Sequence, residues 1–300
     1  MSAPLDLDIR KRVQGIEVMP AIPSVLLPLL RLVRTPAEEV NMDDIVSLVS
    51  YDNTIAAQCL RVAASPLFAS AEPPKTVSRA VMVLGLKRVE SILLTCCMGR
   101  ALPVRKWVID PVAFWRHSLG CALVCRKFCE KLESMDGEKA YTAGLLHDIG
   151  LLVNCVVFPD EFTAALNLAK EEQIPLDVAE RTSMGFTHCE SGQVLAAQWN
   201  LSAELIQVIA HHHAVYQATQ AQSLVAIVHL CDLLCRMRNL GYGYYERMKV
   251  DMVGDPAWDI IMKEHHELEL VDLAQFTFEL DGAMGEIADL VSTILSTAAA

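Results

Sequence analysis

The stretch YTAGLLHDIG, Tyr141–Gly150, decides how this chain is read. It is apolar on most sides, as a segment bound for a helical interior would be, yet it carries His147 and Asp148 side by side. The pattern predicts a short helix over residues 139–148, closed by Gly150. An adjacent imidazole and carboxylate at a helix end can chelate one cation together, the carboxylate supplying charge and the imidazole a neutral nitrogen. The same pair can also be read as a satisfied core histidine beside a capping aspartate. Taken alone, it does not choose between the two.

Other polar residues stand in similarly apolar settings. Asp110–Pro111 is a cap followed by proline at the first helical position, and opens a helix expected to run to Leu132. His117 lies on it, on the face that continues through Cys121 and Cys125, and a histidine on a buried stripe needs a polar partner. Thr187 and Glu190 form a capping box, so His188 falls in the first turn of a helix running to Trp199. Ser202 caps the next helix, Ala203–His213, where the consecutive His211, His212 and His213 point in different directions. Asp232 lies in the apolar run VAIVHLCDLLCRM of a helix over residues 222–238. A carboxylate there is costly unless it meets a metal or another cation. His229, three residues earlier, either neighbours it or faces elsewhere. The order is H…HD…H…HH…D, a set hard to explain as scattered core accidents.

The rest of the 300-residue chain frames this set. More than half of it, 53%, is apolar, enough for a large core without staples. Lysine and arginine number 25 against 37 aspartates and glutamates, a net charge of −12 that argues against a broad nucleic-acid surface. The start MSAPLDLDIRKRV is polar and no run reaches about 18 uncharged apolar residues, so neither a signal peptide nor a membrane span is expected. The expected location is cytoplasmic. The ten cysteines are read as reduced, and no C-x-x-C pair occurs. Cys121, Cys125 and Cys129, four apart, could hold a soft metal and are read as small core hydrophobes.

The fold class is all-α, with an HD-like helical bundle packed against a smaller N-terminal helical bundle. Residues 1–14 are read as a flexible leader, 15–105 as the N-terminal subdomain, 106–290 as the bundle holding the polar cluster, and 291–300 as a tail. In the N-terminal part, helices are expected over residues 25–33, from Asn41 with Ile45, Leu48 and Val49 buried, over 55–64, over 78–84 broken by Gly85, and over 87–98. Further helices are expected over 161–171, 256–263 and 283–295, while 268–278 is ambiguous. The acidic runs TPAEEVNMDD and KEEQIPLD are read as solvated faces, His265–His266 as an exposed helix end, and the tyrosines of GYGYYER as packing a turn.

The ordered set His117, His147–Asp148 and Asp232 resembles the pattern of the HD metal-dependent phosphohydrolase superfamily. A finer resemblance is to the HDOD family, the HD-related output domain of bacterial signalling proteins. MPAIPSVLLPLLRLV, IVSLVSYDNTIAAQCLRVAASPLF and TVSRAVMVLGLKRV are similar to that family's opening segments. TAGLLHDIG, THCESGQVLAAQWNLS and VIAHHH follow its later pattern, so the likeness covers roughly residues 18–240. It implies a regulatory signal-transduction module acting through a protein partner or a nucleotide ligand. It also implies a divalent-metal site, of iron, manganese, zinc or nickel, or the remains of one. His117, His147, Asp148 and Asp232 would form a first position. His188, His212 and His213 would complete a second, bridged by Asp148. The alternative is a metal-dependent phosphohydrolase or phosphodiesterase acting on a nucleotide or cyclic nucleotide. The related HD-GYP phosphodiesterases carry a lysine where Leu151 stands and a glutamate where Ala214 stands, and AVYQATQAQ replaces their glycine-rich loop. Arg181 or Arg236 would have to hold a phosphate instead.

Overall fold

A computed structural model describes residues 41–50, 74–85, 108–130, 135–199, 201–242, 251–266 and 274–279, with isolated positions between them and up to 288. The expected leader, the helix over 25–33, most of those over 55–64, 87–98 and 283–295, and the tail fall outside these residues. The chain divides into two units, residues 20–102 with 289–300, and residues 1–19 with 103–288. Every element among the described residues is helical.

In the first unit, α1 (Met42–Ser50) starts where the Asn41 side chain accepts from the Asp43 amide. α2 (Val77–Leu84) starts where Thr76 accepts from Arg79. Gly85 ends α2 at a φ of 75°, a left-handed conformation that suits a residue without Cβ. Ile45, Val49, Ala80, Val81 and Leu84 are buried.

The second unit is a bundle built around α3 (Pro111–Cys129), α4 (Gly137–Leu146) and α10 (Gln222–Met237). Asp110 caps α3 through the Val112 amide, as the sequence predicts, but the helix stops at Cys129 rather than Leu132. Asp136 then caps α4 by accepting from Glu138 and Lys139. Gly150 does not close this helix. The chain breaks at His147–Asp148 and continues as α5 (Ile149–Val157), with Gly150 inside it. The reason for the glycine is a close approach. A Cβ on Gly150 would lie 1.8 Å from the His188 carbonyl oxygen and 2.7 Å from the Gly192 nitrogen. Two glycines thus let α5 pack backbone to backbone on α8 (His188–Gln198).

Between them run α6 (Pro159–Glu172) and α7 (Leu176–Met184), and after α8 come α9 (Ala203–His211) and α10. α11 (Ala257–Glu264) packs on α10, and Trp258 lies 5.6 Å from Phe128 between ring centroids. His265 at the end of α11 is buried rather than exposed, while His266 is exposed as expected. α7 overlaps a segment read from sequence as a solvated acidic run. Gly137–Val157 is long and apolar enough to cross a membrane, but 83% of its apolar window is buried within the bundle. Cys121, Cys125, Cys129, Cys231 and Cys235 are free thiols in the core.

Candidate metal centre

The break between α4 and α5 creates the site. Asp148 is the N-cap residue of α5, but its side chain accepts no capping hydrogen bond. The carboxylate is therefore not spent on the helix and turns inward, which removes the reading of Asp148 as a capping aspartate. Its Oδ2 lies 3.0 Å from His147 Nε2 and 3.6 Å from His117 Nε2. Its Oδ1 lies 3.1 Å from His212 Nε2 and 3.3 Å from His188 Nε2. One carboxylate stands between two groups of histidines.

The first group is His117, His147, Asp148 and Asp232, from α3, the α4–α5 junction and α10. Their ligand atoms lie within 4.8 Å of one another, and all four residues are at most 1% exposed. Asp232 Oδ1 is 3.0 Å from His117 Nε2 and accepts from Arg236 Nε at 2.7 Å. Tyr242 donates its hydroxyl to Asp148 Oδ2, and its ring centroid is 4.5 Å from that of His117. The glycine turn does more than pack: it carries a partner of the central carboxylate.

The second group is His188, Cys189, His212 and His213, again within 4.8 Å. His188 Nε2 and His213 Nε2 are 3.1 Å apart. Glu180 anchors this side. Fully buried on α7, it accepts from His188 Nδ1 at 2.6 Å, from the His188 amide at 2.9 Å and from Asn154 Nδ2 at 2.9 Å. Asn154 Oδ1 in turn accepts from Ser191 Oγ at 2.7 Å.

His213 is the one histidine of these groups that reaches the surface, with 16% of its side chain exposed. With Cys189 it lines a cleft of about 540 Å³ walled by residues of α7, α8 and α9. His211 lies in the wall of this cleft and in neither group. His229 faces away from Asp232: it donates to the His212 carbonyl at 2.7 Å and faces Asp255. Arg181 stands at the rim, paired with Glu190.

The donor set fits a cation. His117, His147 and His212 each direct Nδ1 at a backbone carbonyl, of Leu240, Gly144 and Val208 respectively, and His188 directs it at Glu180. This fixes the tautomer that leaves the Nε2 lone pair facing inward. His117 and His147 then set two such nitrogens 3.3 Å apart, tolerable only with a positive charge between them. Asp232 Oδ2, fully buried, has no hydrogen-bond partner among the described residues. An orphaned carboxylate oxygen inside a protein is costly and marks a place for an ion.

Protons take the cation's place in the electrostatics. Burial alone would pull the His147 imidazole down, but Asp148, together with Cys121 and Asp232, outweighs it and holds the group well above its ordinary value. Glu180, together with Cys189 and Asp148, does the same for His188 against burial. Burial opposes protonation of His212 too, yet the neighbouring Cys189 and Asp148 lift it to about 9. Burial would raise both aspartates. His147 chiefly holds Asp148 well below the carboxylate range, and Arg236 does so for Asp232. Against burial, His212 and His188 bring the Cys189 thiol down to about 6. His213 is pushed well below its ordinary value by burial, and by His212 and Arg236 beside it.

All of His117, His147, Asp148, His188, His212, His213 and Asp232 thus converge, from separate helices. Sequence reading missed Glu180, Asn154, Tyr242 and Cys189. Glu180 shares the buried face of α7 with Leu176 and Ala179, a spacing legible in the sequence. Asn154 interrupts the run LLVNCVV in the same way. Tyr242 and Cys189 carried no such signal, because only the tertiary fold brings them in.

The profile of the HDOD domain family matches residues 19–215. An HDOD domain protein of unknown function from Geobacter sulfurreducens is 27% identical, with a TM-score of 0.84 over 96% of this chain and 97% of that one. A candidate phosphohydrolase from Shewanella amazonensis shares the fold at 20% identity and a TM-score of 0.72, covering 95% and 97% of the two chains. An uncharacterised protein of Treponema pallidum is 26% identical over 74% of this chain, which spans only 43% of that relative's length. The chain belongs to the HDOD domain family.

Proposed function

We propose that this chain is a signal-transduction module whose buried histidine–aspartate centre holds divalent cations and whose output is contact with a protein partner or a nucleotide-type ligand, without robust turnover. The cytoplasm is its proposed location. One observation carries the reading: a fully enclosed first group in which one oxygen of each carboxylate is already engaged by a protein donor. Arg236 binds Asp232 Oδ1 and Tyr242 binds Asp148 Oδ2. A catalytic metal needs an open position and a path for substrate, whereas these residues are sealed by core side chains. At the position following the His147–Asp148 turn where phosphodiesterases carry lysine, Leu151 is buried. Arg236, a possible substitute, is committed to Asp232, and Arg181 to Glu190. Iron, manganese, zinc and nickel all suit such nitrogen and oxygen donors.

A second reading, a metal-dependent phosphohydrolase, is favoured by the cleft that reaches His213. When bound, a pair of cations bridged by a carboxylate would supply a clamp for a phosphate and activation of water. The test is hydrolysis of phosphomonoesters, nucleotides and cyclic dinucleotides by manganese-, iron- and zinc-loaded protein, beside Asp148→Ala. The regulatory reading expects no difference between the two. Turnover present in the native protein and lost in the variant would overturn it in favour of the hydrolase.

A further inference from the structure

We infer that Cys189 is a metal ligand, so that the second position binds its cation through a thiolate and three imidazoles and takes a softer ion than the first. The inference rests on the reading of the centre as a cation site and adds to it the class of ion.

Geometry carries it. A tetrahedral zinc-like ion, with metal–nitrogen bonds of about 2.05 Å and a metal–sulfur bond of about 2.3 Å, sets nitrogens roughly 3.3 Å apart and nitrogen and sulfur roughly 3.6 Å apart. Here His188 Nε2 and His213 Nε2 are 3.1 Å apart. Cys189 Sγ is 3.9 Å from His212 Nε2 and equally far from its Nδ1, and Arg236 Nη2, 3.4 Å from His213 Nε2, would turn from that nitrogen when the ion binds. The four ligand atoms all lie within 4.8 Å of one another. His188 and His212 are held with Nε2 inward by Glu180 and by the Val208 carbonyl. Of the described cysteines, only Cys189 lines the cleft, beside His213. An ion arriving through the cleft therefore meets the sulfur and an imidazole first.

The chemistry separates the two positions. The first offers two imidazoles and two carboxylates, a hard to borderline set suited to manganese or iron. The second offers a thiolate and three imidazoles, which favours zinc, cobalt or a similar borderline ion. Asp148 Oδ1, close to His188 and His212, leaves a fifth donor within reach.

The test is cobalt(II) titration of metal-stripped, untagged protein, followed by absorption spectroscopy and metal analysis, on the wild type, Cys189→Ser and Cys121→Ser, with folding checked by circular dichroism. Cys189→Ala serves the same comparison if the serine variant does not fold. The wild type is expected to bind about two cobalt ions per chain and to show a near-ultraviolet thiolate-to-cobalt charge-transfer band. Cys189→Ser should lose that band entirely, while Cys121→Ser should retain it. Cobalt bound without the band, or a band that survives in Cys189→Ser, would overturn the assignment of Cys189 and leave the cation reading standing. No cobalt bound to a folded wild type would overturn both.

Discussion

The two halves of the polar centre share Asp148 but differ in almost everything else. The group of His117, His147, Asp148 and Asp232 is sealed, and its carboxylates have protein partners in Tyr242 and Arg236. The group of His188, Cys189, His212 and His213 has a polar scaffold behind it and a cleft before it. A sealed site with internal countercharges suits an ion retained as part of the fold. A site with a partly exposed histidine at a cleft suits an ion, or a ligand on it, that can exchange. The difference implies that, with cations bound as proposed, one buried carboxylate would serve a structural position and a responsive one at once.

The comparison fails in the most drastic way if Asp148 is removed, because both halves depend on it. Asp148→Ala should cost about 3–5 kcal/mol, since it leaves buried imidazoles without their countercharge, and should abolish metal uptake at both positions. Urea denaturation with metal analysis checks this. Next in size is Gly150→Ala, whose Cβ would meet the His188 carbonyl 1.8 Å away. Forcing α5 from α8 should cost about 3 kcal/mol or more, and should weaken the second position more than the first, as read by equilibrium dialysis.

Two variants should separate the halves. Glu180→Gln removes the charge that orients His188, and should lower affinity at the second position about 10- to 100-fold while sparing the first. Competition titration against a zinc chelator resolves the two steps. Tyr242→Phe removes one hydrogen bond from Asp148 on the first side and should cost about 1 kcal/mol, with no change in zinc affinity at the second.

The pH dependence of the metal-free protein probes the two halves together. His147, His188 and His212 hold protons in the fold that the unfolded chain releases near 6.5. Their contribution is full below that pH and is lost as pH rises through the folded values, about 9 for His212. Cys189 works in the opposite sense. With its thiol at about 6 rather than 9.0, its contribution is full above pH 9.0 and is lost as pH falls through about 6. Stability should therefore decline from pH 6.5 to 9 in the metal-free wild type. In the zinc-loaded protein the trend should reverse, since metal displaces those protons. Urea midpoints across this range measure both.

Much of the fold was legible in the sequence because its signals are local. Asp110–Pro111, the Thr187–Glu190 capping box and Ser202 each start a helix where the sequence places it. The histidines and aspartates were legible because they interrupt apolar runs. The junction at His147–Asp148 was misread, since Gly150 looks like a terminator by propensity but serves close packing against Gly192, a requirement set by a distant helix. Glu180 was overlooked beside a charged run although its helical register buries it. His265 was misjudged for a related reason: its charged neighbours suggest solvent, while its place at the end of α11 puts it inside. Tyr242 and Cys189 gain their roles only from contacts across the bundle.

The central claim is that the centre holds cations, and metal content by inductively coupled plasma mass spectrometry tests it most directly. Protein purified untagged and without nickel columns should carry about one to two divalent ions per chain, and the Asp148→Ala, Asp232→Ala double variant none. A correctly folded wild type that carries no metal, and takes up none when offered manganese, iron or zinc, would contradict the claim and leave the cluster as a hydrogen-bonded core network alone.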